Sequence, residues 1–295
     1  MKQDGKHKPQ NRLAKLQQQV NRLRNQIKRI RRAERPQARP GITTNARGFG
    51  WIPDLPDQRD HLYIAPRKTM AALPPSTDLR AQCPPVYDQG DLGSCTANAV
   101  AGAHQFSQIK QSEPKVFSPS RLFIYYNERV IEHTVNSDSG AMIRDGMKSV
   151  GRRGVCPERI WPYDIAKFTD RPPAKSYKNA LSHRAVSYRR VQRSLSQMQG
   201  CLAEGFPFIL GFTVYESFES DAVAATGVVP MPRQNEAILG GHAVLAVGYD
   251  DSKRRFLMRN SWGTQWGMAG YFTMPYAYLL EENLADDFWT LRVVK

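Results

Sequence analysis

Residues 88–106 read DQGDLGSCTANAVAGAHQF, and the second half of this stretch restricts the fold more than any other part of the chain. Ala97, Ala99, Ala101, Gly102 and Ala103 leave so little side-chain bulk that a helix built from them suits a central position, approached closely on several sides. A glycine-rich turn feeds that helix, and a single cysteine, Cys95, stands at its start. An unpaired cysteine is commonly a small core residue. At a helix N-terminus, however, the positive end of the macrodipole stabilises a thiolate and lowers the thiol pKa from its solution value of roughly 8.5. Cys95 is therefore a candidate nucleophile.

The rest of the chain has a mixed texture. FSPSRLFIYYNERV reads as a second helix, with Ser118 as N-cap and Pro119 at the first helical position. From residue 207 onward, PFILGFTVY, HAVLAVGYD, RRFLMRNSW, GYFTMP and FWTLRVVK are short apolar or alternating runs divided by Gly, Pro and Asp turns, so the second half is mostly β. With 295 residues, 41% of them hydrophobic, the chain can bury a sizeable core as one large domain or two fused halves.

Charge is unevenly spread. Residues 1–40 carry 13 Lys and Arg against 2 acids, so +11 of the net charge of +15 lies in this leader and the body is nearly neutral. Leu13, Leu16, Val20, Leu23, Ile27 and Ile30 alternate spacings of three and four, an a/d stripe on an amphipathic helix that Pro36, Pro40 and Gly41 bring to an end. Gln17, Arg24 and Arg31 at e-type positions meet no acid, which disfavours a parallel self-pair, and a monomer is expected. Such a helix suits packing on the parent domain, or attraction to an acidic partner, an anionic surface or nucleic acid. Residues 41–75 are dense in Gly and Pro yet hold Phe49, Trp51 and Tyr63, and read as an extended segment laid on a surface.

Four cysteines, Cys83, Cys95, Cys156 and Cys201, are too scattered for a disulfide scaffold and form no CxxC pair, so neither zinc nor any other metal or cofactor is expected. Pairing of Cys83 with Cys156 stays open, and Cys201 reads as a buried small residue. No secretory h-region and no run of 18 apolar residues occurs, which predicts a soluble chain without an ordinary export signal.

A nucleophilic thiol needs a base. His104 lies nine residues along the same helix, about 13 Å at roughly 1.5 Å per residue, beyond hydrogen-bond reach. His7, His61, His133 and His183 have no chemical company. His242 lies in ILGGHAVLAVGYDD, where glycines permit close backbone approach and an apolar strand would hold the imidazole, and RNSWGTQWG brings Asn260 beside Trp262 eighteen residues later. A nucleophile, a base and a group that orients the base form a triad.

With these three blocks in this order, residues 76–294 resemble the papain-like cysteine peptidases, in a layout similar to their small bacterial members. The resemblance implies an α+β, two-lobed papain-like fold, with a helical lobe over 76–200, a β-barrel-like lobe over 201–295 and the active-site cleft between them. It implies Cys95 as nucleophile, His242 as general acid/base, Asn260 holding the imidazole, and an oxyanion hole of the Gln89 amide and the Cys95 backbone N–H. Trp262 would shield the His–Asn bond, with Trp266 in the core or lining the cleft. Gly140 would pair with an extended substrate, Gly241 would border a roomy subsite, and Phe212 and Val214 would lie near the S2 pocket. Two departures stand out: Leu92 replaces a familiar cysteine, and Thr96, in place of an aromatic residue, is expected to alter a cleft wall.

The implied function is a polypeptide-cleaving endopeptidase working through a thioester acyl-enzyme, made as a zymogen in which residues 1 to about 75 bind in cis and ARGFGWIPDLP lies nearest Cys95. The same thioester suits an acyl transferase or peptide ligase, and the basic leader alternatively serves as a partner-binding module.

Overall fold

The computed structural model describes residues 48–295, so the heptad helix expected over 1–40 lies outside the described residues. Residues Arg47–Lys295 fall in one compact unit. Its helices are α1 (Arg67–Ala71), α2 (Cys95–Lys110), α3 (Arg121–Glu132), α4 (Ile143–Arg152), α5 (Ala174–Ala180), α6 (Leu195–Ala203), α7 (Asp221–Thr226) and α8 (Tyr276–Leu280). Its strands are β1 (Ser76–Asp78), β2 (Ala185–Arg190), β3 (Phe208–Tyr215), β4 (Ile238–Asp250), β5 (Arg255–Arg259), β6 (Tyr271–Pro275) and β7 (Ala285–Val294). Among the described residues no helix is long and apolar enough to cross a membrane.

The small-residue run does what its volume dictates. Every residue of α2 from Cys95 to Gln108 is buried. At Gly102 even a Cβ would stand 2.8 Å from the Arg259 guanidinium, so the helix leans directly on β5. α3 begins two residues later than its sequence suggests: Ser120 accepts from the Phe123 N–H, because Pro119 is engaged in a bridge with Pro157. Ser118 is thus not the cap.

The strands form one sheet in the order β2-β7-β3-β4-β5-β6, with β1 pairing β4, and every pairing is antiparallel. β1 and β2 both precede residue 200, so the sheet is not confined to residues after it. β3 and β4 set Phe212 opposite His242 and Gly211 opposite Ala243. Alternation along β3 sends Phe212 into the core, where it meets Phe218, Phe272 and Tyr278 with ring centroids 5.1, 6.3 and 6.0 Å away. Aromatic pairs of this kind contribute about 0.5–1.5 kcal/mol each beyond burial. They make a rigid wall behind the imidazole of His242. All four cysteines are free thiols, so no Cys83–Cys156 bridge exists, and Cys201 is buried.

Candidate active site

Cys95 opens α2 and is wholly buried. Backbone groups of Ala243, Gly50 and Thr96 reach its thiol and favour the thiolate, but burial outweighs them and pushes the pKa up to about 12. Gly50 comes from the extended segment that precedes the body, and so the thiol is covered by the chain's own leader.

His242 lies next to Ala243 on β4, fully buried, and its Nε2 is 2.8 Å from Asn260 Oδ1. That oxygen also accepts the Ser261 N–H at 2.9 Å, which marks it as an acceptor and Nε2 as the donor. With Nε2 donating to Asn260, the neutral ring carries its lone pair on Nδ1. Trp262 roofs the imidazole, its ring 4.8 Å away and tilted by 30°, and Phe49 of the leader meets both rings at 6.3 Å. Trp266 stands on the far side of Trp262, edge-on at 5.0 Å and packed on Phe272, and belongs to the core.

Gln89 is buried just ahead of α2. Its Nε2 donates to the carbonyls of Leu92 and Gly48, at 2.9 and 3.0 Å, while its Oε1 accepts from Ser261 Oγ at 2.6 Å. Ser261 therefore holds both the Asn260 and the Gln89 amides. It sits inside the NSWG block, and the need for a donor facing the Gln89 oxygen was the signal that could have pointed to it.

The leader crosses the site as an extended strand. The Trp51 N–H donates to the Gly241 carbonyl at 2.9 Å, the Ala141 N–H to the Gly50 carbonyl at 2.7 Å, and the Ile52 N–H to the Ala141 carbonyl at 3.0 Å. Trp51 and Ala141 are joined as a parallel bridge. Ala141, not Gly140, makes the backbone pairing; Gly140, at φ +70°, supplies room, since a Cβ there would lie 2.1 Å from the Gly50 carbonyl oxygen. Gly241 is in the cleft. On β3 the residue against the leader is Gly211, where a Cβ would stand 2.0 Å from the Trp51 ring, while Phe212 and Val214 are wholly buried on the alternate face, Phe212 5.7 Å from the His242 ring. Thr96 also departs from expectation. Its hydroxyl turns inward and donates to Glu128 at 2.9 Å, so it forms no cleft wall.

Beyond the thiol the leader is anchored by a cluster that no local motif announces. Asp287 Oδ2 accepts the Trp51 indole N–H at 3.0 Å and the Asp54 N–H at 2.7 Å. Asp54 accepts from the Trp289 indole at 2.9 Å and the Arg144 N–H at 3.0 Å. Arg144 Nε donates to Asp60 at 3.0 Å, and its Nη1 donates to the Leu55 carbonyl. Burial raises the pKa of both Asp54 and Asp287, the latter to about 7 with Asp54 and Asp286 adding to the rise.

A thiol at a helix start, an imidazole held by a carboxamide and a glutamine amide beside the thiol's own turn are the constellation of a thiol hydrolase. The profile of the papain family cysteine proteases matches residues 73–283, and the chain belongs to that family. It is 44% identical over 276 residues to an uncharacterised peptidase C1-like protein of Acanthamoeba polyphaga mimivirus, covering 85% of this chain and 89% of that one. Among solved structures it is similar to xylellain, a cysteine protease from Xylella fastidiosa, at 47% identity and a TM-score of 0.79, over 85% of this chain and 98% of the other. A procathepsin B of Trypanosoma congolense shares the fold at 15% identity and a TM-score of 0.67, over 85% and 87% of the two chains. The protein is thus a papain-like, α+β cysteine peptidase.

Proposed function

We propose that the chain is a cysteine endopeptidase made as a zymogen, with Cys95 as nucleophile, His242 as general acid/base and Asn260 orienting the imidazole. The Cys95 thiolate attacks the peptide carbonyl carbon, and the carbonyl oxygen takes up negative charge between the Gln89 amide and the Cys95 N–H. The His242 imidazolium protonates the departing amine. Water, deprotonated by the same ring, then hydrolyses the thioester and returns the thiol. That the leader passes through the cleft as continuing chain supports attack on internal bonds: the groove admits a polypeptide that enters and leaves.

One observation carries the zymogen reading. The carbonyl of Gly48 already occupies the Gln89 amide, and Gly50 lies on the Cys95 thiol. At its bridge with Ala141 the segment runs parallel, and its Gly48 carbonyl is held by the Gln89 amide. The name procathepsin, carried by the Trypanosoma congolense relative, fits a family member with an N-terminal pro-segment. The test is Gly50→Ala in the full-length chain. An added Cβ would lie 1.8 Å from the Gly93 carbonyl, so the segment cannot seat, and turnover of a fluorogenic peptide should rise at least tenfold over the unmodified chain and vanish in Gly50→Ala/Cys95→Ser. Equal rates with and without the Gly50 change would remove the zymogen reading.

A further inference from the structure

The leader's tryptophan lies in a pocket whose chemistry is more particular than a greasy slot. Gly211 and Gly241 leave its walls bare: a Cβ at either position would meet the Trp51 ring, at 2.0 and 2.9 Å. At the bottom, Asp287, 1% exposed, takes the indole N–H at 3.0 Å on Oδ2, while Arg190 Nη2 holds its Oδ1 at 3.1 Å. The neighbouring Asp286 carboxylate is likewise paired, with Arg190 at 3.3 Å and Arg193 at 3.1 Å.

When residues 48–54 withdraw, Asp287 Oδ2 loses both of its donors, the Trp51 indole and the Asp54 N–H. A buried acceptor then faces the empty pocket. Its charge is already balanced: Arg190 and Arg193 remain against Asp286 and Asp287, and Arg144, which also acts on Asp287, stays while Asp54 leaves with the segment. An incoming guanidinium or ammonium would therefore add a cation beside Arg190. A neutral planar group with one N–H fits both the volume and the charge.

Building on the peptidase reading above, we infer that Gly211 and Asp287 make this pocket select tryptophan in polypeptide substrates, so that the leader inhibits by presenting the side chain the enzyme prefers. Phenylalanine fills the space but leaves Asp287 without its donor, and a site built around a hydrogen bond discriminates strongly against analogues that lack it. Arginine supplies the donor and brings the wrong charge. Valine at residue 211 would fill the space the ring needs and abolish the preference without touching the triad.

The test uses the full-length Gly50→Ala/Trp51→Ala chain, in which the strand cannot seat and the pocket holds no tryptophan of its own. Fluorogenic peptides varied at each of the three positions before the scissile bond should reveal one position where Trp exceeds Phe roughly tenfold or more in kcat/KM and exceeds Arg further. Adding Gly211→Val should lower kcat/KM for the Trp peptide toward that for Phe and so flatten the ratio. In parallel, calorimetric binding to Gly50→Ala/Trp51→Ala/Cys95→Ser of a capped peptide spanning residues 47–54 reads the pocket without turnover. The Trp peptide should bind roughly tenfold tighter than its Phe version, and the Arg version weaker still. No turnover of any peptide would sink the peptidase reading, with the binding comparison still deciding the pocket. Equal affinity of the Trp and Phe peptides, or a preference for Arg, would overturn the selection proposed.

Discussion

The Gln89 Nε2 amide donates to the Gly48 carbonyl at 3.0 Å, so the donor assigned to the oxyanion hole is occupied by the chain's own leader. On the zymogen reading proposed above, whatever frees this amide for a substrate also displaces the leader. Removing one oxyanion donor typically costs about 10²–10³ in rate. Gln89→Ala, placed in the Gly50→Ala background, should lower kcat by about that factor with little change in KM. An undiminished kcat would take Gln89 out of the catalytic machinery.

Ser261 is predicted to act through its neighbours. Its Oγ holds Gln89 Oε1 at 2.6 Å and its N–H holds Asn260 Oδ1 at 2.9 Å. Ser261→Ala keeps the backbone bond and loses the hydroxyl, freeing the Gln89 amide to rotate. We expect kcat to fall on the order of tenfold, the cost of about one hydrogen bond of 1.4 kcal/mol, with KM and the pH profile of His242 unmoved. A shift in KM alone would assign the serine to substrate binding.

Arg144 ties the leader to the body. It bonds Asp60 and the Leu55 carbonyl, its side chain is 5% exposed, and its backbone N–H holds Asp54. Removing one partner of a buried pair costs about 3–5 kcal/mol because the other charge is left uncompensated. Arg190, 3.5 Å from Asp60, remains to offset part of that cost, so Arg144→Ala should raise basal activity on the order of tenfold or more. Intact mass after limited proteolysis should find residues before 60 cut first; unchanged basal turnover would refute the tie.

The leader's hold should weaken as pH rises. Asp287 is raised to about 7, first by burial and then by Asp54 and Asp286, with Arg190 opposing; Asp54 is raised by burial against Arg144, Arg190 and the Trp289 indole. A carboxyl whose pKa is higher in the docked state than in the released state binds more protons when docked. Docking is therefore favoured below the docked value and loses ground as pH climbs from the ordinary carboxylate range through about 7. Hydrogen exchange at the Trp51 and Ile52 amides, corrected for intrinsic rate, should lose protection between pH 5 and 8, and Asp54→Asn should flatten the loss. Protection that grows with pH would reverse the sign.

Much of the site could be read from the chain because its parts are local. Cys95, Gln89, His242 and Asn260 each lie in a short block where glycines and aromatics limit the backbone to a few shapes. Their partners escaped where a residue's role depends on which face it turns. Gly140 and Ala141 divide a task that the sequence presents as one, the glycine giving room and its neighbour the hydrogen bonds. On β3 the apolar Phe212 and Val214 looked like pocket walls, yet strand alternation buries them and leaves the side-chain-free Gly211 facing the cleft. The Asp54–Arg144–Asp287 anchor joins residues 90 and 233 positions apart and has no local pattern at all. Ser118 and Ser120 flank one proline, and only the Pro119–Pro157 bridge decides between them.

The central claim, that residues 48–52 cap a reactive thiol at residue 95, is tested most directly by intact mass after brief exposure to a cysteine-directed epoxide. The full-length chain should remain unlabelled at neutral pH, since burial holds the thiol near 12, while Gly50→Ala should gain one adduct that Cys95→Ser abolishes. Equally rapid labelling of the unmodified chain, or an adduct that survives Cys95→Ser, would contradict it.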